Sequence, residues 1–495
     1  MIQITRAQAR RWRAVLRRAV ASGGGRWAGP TLVFTADRDG LHLQCATPQV
    51  AVDYHQPGAL PEDRLTVPAP LLADCEGGKD EPVVLERGPG ETVRACWHDG
   101  GVPQQQEYAV PEADPALNFP ALPQRWLPQA PDFLPALKAV AQTAARQHVR
   151  YSLHRVQFQG KAGQLVATDG KQLLLHAGFR FGWSDNILVP ALPVWCARDL
   201  PSTESLSLGR TETHVFIRVG PWTFALLIDR QGRFPNVADV VPSPAARRTT
   251  WTLTAPAAAL LARTLPRLPG GQDAEQPVTV DLNSPVAVRA RAERDGRTTE
   301  LLMPESQVSG PALRCCGNRQ YLLRALALGF TRFELAGADQ PIVACDDRRT
   351  YLWMTLPAKD ALPAAADAVR VSGVVGAQAG EELSVSLRPV SGPGRAKRTD
   401  VDGAVEPPWP RKGAAADTNG EPAGAVPKAV NDAQPPAPAA THPGLLQEAE
   451  ALRDLLRDGY LRSQRLLAAL KRQRQQSRLL NSTVSALRQL RLVES

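Results

Sequence analysis

The sequence predicts an α+β protein built from three similar units, each with two helices packed on antiparallel sheets, followed by a disordered linker and a C-terminal helix. Three observations predict it. Helix-like segments near residues 7–21 (QARRWRAVLRRAVAS), 132–145 (DFLPALKAVAQTAA) and 255–268 (APAAALLARTLPRL) recur about 125 residues apart. A second series, VPAPLLADCEG from Val67, VPALPVWCARDL from Val189 and GNRQYLLRALALG from Gly317, repeats that spacing, and alternating apolar stretches of strand character follow each member. Beyond about residue 360 the composition turns to Ala, Pro and Gly.

The expected units are 1–125, 126–247 and 248–360. The opening MIQIT reads as a strand ahead of the first helix. The strand stretches are PVVLERGPGETVRACW in the first unit, SLSLGRTETHVFIRVGPWTFALLI in the second and RFELAGADQPIVACDDRRTYLWMTL in the third. Residues 361–441 form an Ala/Pro/Gly-rich linker, polar and proline-rich from about 391, in which AVRVSGVV and EELSVSLRPV leave room for a short extra hairpin. From 442 to 495 a coiled-coil helix is expected. Leu445, Leu452, Leu466, Leu480 and Leu487 share one heptad position and Ala449, Leu456, Leu470 and Val484 the other, with Gly459, Ser463, Gln473 and Ser477 interrupting the seam. A surface-bound amphipathic helix is the alternative.

The 495 residues carry 58 Lys and Arg against 49 Asp and Glu, a net +9 that suits a polyanionic partner. Residues 361–495 hold 18 basic and 14 acidic side chains, so about +4 of the excess lies there and about +5 in the front part. Seven cysteines, with no CxxC and no Cys–His ligand spacing, argue against a disulfide framework or a zinc site and fit a reducing cytoplasm. No run reaches membrane-spanning length, and the arginine-rich start lacks a cleavable signal's apolar core; a transit peptide is its rival reading. Catalytic chemistry finds little support: Asp346-Asp347 sits in a turn-like CDDRRT, Cys315-Cys316 has no placed His, and there is no Gly-rich phosphate loop.

Local motifs then point to a family. VRYSLHRVQF…GQLVATDGKQLLL, Val149 to Leu175, resembles the middle domain of the bacterial β sliding clamp, the processivity subunit of DNA polymerase III, whose hairpin reads Ala-Thr-Asp-Gly-His-Arg-Leu. GRFPNVADVVP, from Gly232, resembles that family's Gly-x-Phe-Pro segment, PALNFPALPQRW the Phe-Pro segment closing its first domain, and YLWMTLP, from Tyr351, its terminal strand. The likeness covers residues 1 to about 360; the linker and coiled coil are outside it.

The resemblance implies three DNA-clamp domains, a head-to-tail homodimeric ring around duplex DNA with helices lining the hole, no cofactor and no enzymatic chemistry. DNA polymerase III, the clamp loader and other proteins carrying clamp-binding motifs are the implied partners. A sliding ring attracts phosphates without reading bases, which calls for Lys and Arg on inward helices. Arg6, Arg10, Arg13 and Arg17 fall on one helical face, with Arg11 and Arg18 beside them; Lys138, Arg146, Arg263 and Arg267 repeat the charge on the later first helices. Gln147 and Tyr151 match family DNA contacts, as does Arg26 in one alignment of GGGRWAGPTL. The family's groove for Gln-Leu-x-Leu-Phe peptides carries over to Leu153, Thr168, Gly170, Lys171, Gln172 and Leu173, to Pro235, Asp239 and Val240, and to Gln340, Leu352, Met354 and Leu356. Here Lys171 and Gln172 stand where His and Arg are usual, Asp239 where Arg is common, and Thr355 where the last strand has Pro. Near the C-terminus Gln489, Leu490, Leu492 and Val493 resemble the clamp-binding peptide itself, or simply finish the coiled coil. Two functions compete: a DNA-encircling processivity factor, and a clamp-like adaptor or scaffold acting through its coiled-coil tail. An enzyme is third.

Overall fold

Thr5-x-x-Gln8 starts the first helix by a reciprocal cap: the Thr5 amide donates to Gln8 Oε1 at 2.8 Å and the Gln8 amide to Thr5 Oγ1 at 3.1 Å. Helix α1 (Arg6–Val20) then buries Ala9, Trp12, Val15, Leu16 and Ala19, spaced three and four apart. Trp12 anchors it, with ring centroids 6.0 Å from Phe34 and 5.1 Å from Tyr54. The computed structural model describes residues 1–20, 29–112, 118–146, 151–201, 206–270, 275–292 and 296–372. The expected coiled coil and the hairpin half EELSVSLRPV lie outside the described residues.

The other helices are α2 (Pro70–Cys75), α3 (Phe133–Ala141), α4 (Ala255–Thr264) and α5 (Arg319–Ala327). Three are trimmed relative to the sequence pattern. Helix α3 stops at Ala141, where the Thr143 hydroxyl donates back to Ala139 O at 2.9 Å. Pro266 converts the end of α4 to a 3-10 turn, Leu265–Arg267. The expected helix after Val189 is reduced to one 3-10 turn, Pro193–Cys196, whose buried Trp195 meets Phe224 edge-on at 5.1 Å.

The sheets repeat one plan three times. A strand leads into the first helix of each unit (Ile2–Thr5, Trp126–Gln129, Thr249–Leu253) and pairs with the first of three strands that follow the second helical piece. The other strands form a second sheet per unit: Thr31–Ala36, Gly40–Ala46, Val50–Pro57 and Asp63–Pro68 in the first, and their counterparts later. Successive units then fuse edge to edge. Val50–Pro57 pairs antiparallel with Trp222–Leu227, giving an eight-stranded sheet, and Gln172–Ala177 pairs antiparallel with Arg349–Trp353, giving a nine-stranded one. Two half-sheets remain, a four-stranded one ending in Val102–Ala109 and a six-stranded one containing Thr298–Leu302.

The chain does not leave the sheets at residue 360. Val369–Ser372, within AVRVSGVV, adds in parallel to Thr298–Leu302 as the sixth strand; the other half of the possible hairpin lies outside the described residues. On the other side of the sheets the helical pieces form a row. Helix α1 packs on α2 and on the 193–196 turn, that turn on α3, and α4 on α5. Arg324 of α5 links the two halves by donating to Ala139 O at 2.6 Å and Thr143 Oγ1 at 2.8 Å at the end of α3.

Candidate peptide groove and basic helix face

The ATDGKQL hairpin sits where the middle and third units fuse. Gly170 has φ of +91°, and a Cβ there would meet only Leu153 Cδ1, at an ordinary 3.6 Å, so the requirement for Gly is conformational. Gly170→Ala should therefore cost about 1–2 kcal/mol in urea denaturation, with little effect on neighbouring packing. The residues around the Gly build the turn. Asp169 Oδ1 accepts from the Lys171 and Gln172 amides at 2.8 and 2.9 Å, and Thr168 Oγ1 accepts from the Gly170 amide at 3.0 Å and donates to Gln172 O at 2.6 Å.

Register then stacks apolar side chains. Leu173 lies opposite Leu352, and Leu352 opposite Val343. With Val166 and Val237 these residues form a buried cluster separate from the main core, against which Leu175, Phe234 and Val241 pack. At the other junction the equivalent cluster is Ala46, Ala51, Phe216 and Ala225, filled by Phe119 and Trp126. The second junction has an aliphatic cluster, with exposed apolar side chains on its segments, Met354 at 41% and Val240 at 45% exposed. The Met354 amide donates to Lys171 O at 2.9 Å, which places Met354 next to the hairpin.

The structure sorts the expected groove residues. Leu153, Thr168, Gly170, Lys171, Leu173, Leu352 and Met354 gather around the hairpin, and Pro235, Asp239 and Val240 lie on the segment whose Val237 joins the floor. Gln172 does not form the rim. It is buried, donating to Asp169 Oδ2 at 2.8 Å and accepting from the Tyr351 hydroxyl at 2.7 Å. Gln340 lies in an exposed turn before Ile342–Cys345 and is not in the apolar cluster; Val343, three residues on, is. Leu356 has crossed to the six-stranded sheet, opposite Cys316. Missed by the sequence pattern were Val166, Val237 and Val343; Val343 could have been found from its alternation with Ile342 in PIVAC. On the rim Lys171 Nζ pairs with Glu275 at 2.6 Å and holds that carboxyl below its usual range. Asp239 is exposed, its carboxylate accepting from Asn236 Nδ2 at 2.7 Å.

The helix arginines also divide. Arg6 is 8% exposed and structural: it pairs with Glu81 at 2.9 Å and Asp99 at 3.0 Å, and donates to Cys75 O, Glu76 O and His98 O. Arg13 is half-buried and bound to Glu76 at 2.9 Å. The exposed charge of α1 is Arg10, Arg11, Arg17 and Arg18. Lys138, Arg146, Arg263 and Arg267 are exposed on or just after α3 and α4, and so is Tyr151. Arg26, Gln147, Gln489, Leu490, Leu492 and Val493 lie outside the described residues. Three of the cysteines and Asp346 are accounted for locally. Burial pushes the Cys45, Cys75 and Cys315 thiols up to about 12, and Asp346 accepts from the Arg348 and Arg349 amides and the Arg349 guanidinium.

A threefold sheet-and-helix plan fused edge to edge is the fold of the DNA polymerase sliding clamps. Solved structures carry the likeness. The sliding clamp from Pseudomonas aeruginosa has a TM-score of 0.58 at 17% identity, and the match covers 72% of this chain and 99% of that one. The sliding clamp from Bacillus subtilis has a TM-score of 0.60 at 15% identity, covering 72% and 98%, and the DNA polymerase β subunit of Streptococcus pyogenes 0.57 at 12%, covering 72% and 99%. No family model and no curated protein matches the sequence. No helix among the described residues is long and apolar enough to cross a membrane.

Proposed function

We propose that the protein is a sliding clamp: a processivity factor of three units, 1–125, 126–247 and 248–360, that assembles head to tail around duplex DNA and tethers polymerase and repair proteins by short peptides. The observation that carries the reading is the row of helical pieces along one side of the repeated sheets, with Arg10, Arg11, Arg17, Arg18, Lys138, Arg146, Arg263 and Arg267 exposed on or beside it. Diffuse charge without an inserted recognition element binds phosphates and lets DNA slide. Clamp chemistry is mechanical, so we assign the chain no catalytic residue and no cofactor. The test is retention of the full chain, after treatment with a clamp loader, on circular plasmid and its release when the plasmid is linearised. Equal retention on both forms, or on neither, would replace the ring with an adaptor.

The peptide slot is assigned to the 166/173/237/343/352 cluster with Met354 and Val240 at its mouth. Aliphatic walls suit leucines of a guest, and a flexible Met adapts to several. Asp239 then selects peptides with a basic residue next to the apolar anchor. Asp239→Arg should weaken such peptides by about three- to tenfold, the size of an exposed charge pair replaced by a repulsion, and leave uncharged analogues alone. Fluorescence titration of the two peptide sets checks this; unchanged affinity for the basic set removes Asp239 from the specificity.

A further inference from the structure

Two strands of the repeat lack the partner that their counterparts have. In the first unit the strand Val50–Pro57 pairs with the last strand of the second, Trp222–Leu227; in the second, Gln172–Ala177 pairs with the last strand of the third, Arg349–Trp353. The corresponding strand of the third unit is Thr298–Leu302, and the one last strand not so used is that of the first, Val102–Ala109. Among the described residues that strand is an open edge of eight residues, and only Tyr108 in it is buried. An open edge of this length is a template for another chain.

The place beside Thr298–Leu302 is taken by the chain's own Val369–Ser372. To reach it the chain crosses the sheet as a strap. Leu356 pairs with Cys316, the Leu362 amide donates to Thr279 Oγ1 at 2.8 Å, Leu362 O accepts from Arg289 at 3.4 Å, and Val369 then lies opposite Thr299. The added strand is parallel, whereas both fusions between units are antiparallel. It is four residues long and tied on its exposed side by Arg370, 56% exposed, 3.0 Å from the buried Glu300. A short parallel strand makes the weaker ladder of the two kinds.

We infer that residues 361–372 are a displaceable strap occupying the edge at which a second copy of this chain inserts its strand Val102–Ala109. Displacement converts the parallel sixth strand into an antiparallel junction of the kind already made twice within the chain, and joins the third unit of one copy to the first unit of the next. Assembly is thereby in competition with the start of the C-terminal extension. The inference rests on the clamp reading only for the consequence that the junction closes a ring.

The test uses the full chain carrying Arg370→Glu, which sets a like charge against Glu300, and separately Val369→Pro with Val371→Pro, which takes donors from the strap. Sedimentation velocity over a concentration series reads self-association, and amide exchange of residues 299–302 reads the edge. Both variants should associate at least tenfold more tightly than the unaltered chain, with faster exchange at 299–302 under dilute conditions. Adding Gln105→Pro should cancel the gain. Pro103 already sits in that strand, and a second proline two positions on takes an amide from the same outward side, away from the ladder to Thr92–Asp99. Unchanged or weaker association in both strap variants overturns the inference, as does a gain that survives Gln105→Pro. A variant that assembles through Gln105 but escapes equally from circular and linear plasmid leaves the strap standing and removes the clamp reading.

Discussion

Replacing Arg10, Arg11, Arg17 and Arg18 together by Ala is expected to weaken binding to duplex DNA by about 100- to 1,000-fold at roughly 0.1 M salt, with a loss of about two to three in the salt slope. All four are exposed on α1. Each phosphate neutralised releases a condensed counterion, so a lost contact is worth close to tenfold at that ionic strength. Far-UV circular dichroism and the urea midpoint should hardly move, because the buried face of the helix is untouched. The contrast is Arg6, whose guanidinium is spent on Glu81, Asp99 and three carbonyl oxygens. Arg6→Ala should lower stability and leave the salt slope as it is. Filter-binding isotherms at several salt concentrations separate the two; an unchanged slope in the quadruple variant would move the DNA contact off α1.

The second large effect is on stability. Arg289, 5% exposed at its side chain, lies between Asp281 and Glu300, which are 3% and 5% exposed; its Nε is 2.7 Å from Glu300 Oε1 and its Nη1 donates to Asp281. Arg289→Met keeps the bulk but leaves buried Asp281 to Asn283 and the more exposed Arg314, and buried Glu300 to the more exposed Arg370. We expect a loss of about 3–5 kcal/mol by urea denaturation, the cost of breaking a buried pair from one side. The pH dependence follows from Asp281. Burial pushes its carboxyl up, but hydrogen bonds from Arg289 and Asn283 outweigh burial and hold it below its ordinary value. It therefore stabilises the fold above the unfolded value near pH 4, and that contribution fades as pH falls through the lower folded value. In Arg289→Met the carboxyl rises, so acid unfolding should begin at a higher pH.

Local signals were legible in the sequence and distant ones were not. Thr5 and Gln8 are neighbours, so the start of α1 was readable, and Asp169-Gly170 between apolar runs announced its hairpin. The apolar period of α1 was visible too, but not the acids that claim Arg6, which lie 75 and more residues away in Glu81 and Asp99. Gln172 was read into the groove because it stands where the family hairpin usually has Arg; the partner that draws it inward, Tyr351, is 179 residues distant. Val237 and Val343 are unremarkable in isolation and become a floor only through the junction of two units. The parallel strand Val369–Ser372 was least readable of all. Its pairing begins 70 residues back, at Thr299, and no local signal announces it.

Fusion of the first two units has a price during synthesis. Val50–Pro57 emerges from the ribosome well before Trp222–Leu227, and at about 5–20 residues per second the delay is roughly 10–30 s. Throughout that interval a nascent strand bearing Val50, Ala51 and Val52 has bare amides and carbonyls on one flank. Premature termination before Trp222 should therefore yield a sticky polypeptide, and translation speed across residues 58–221 becomes a determinant of yield.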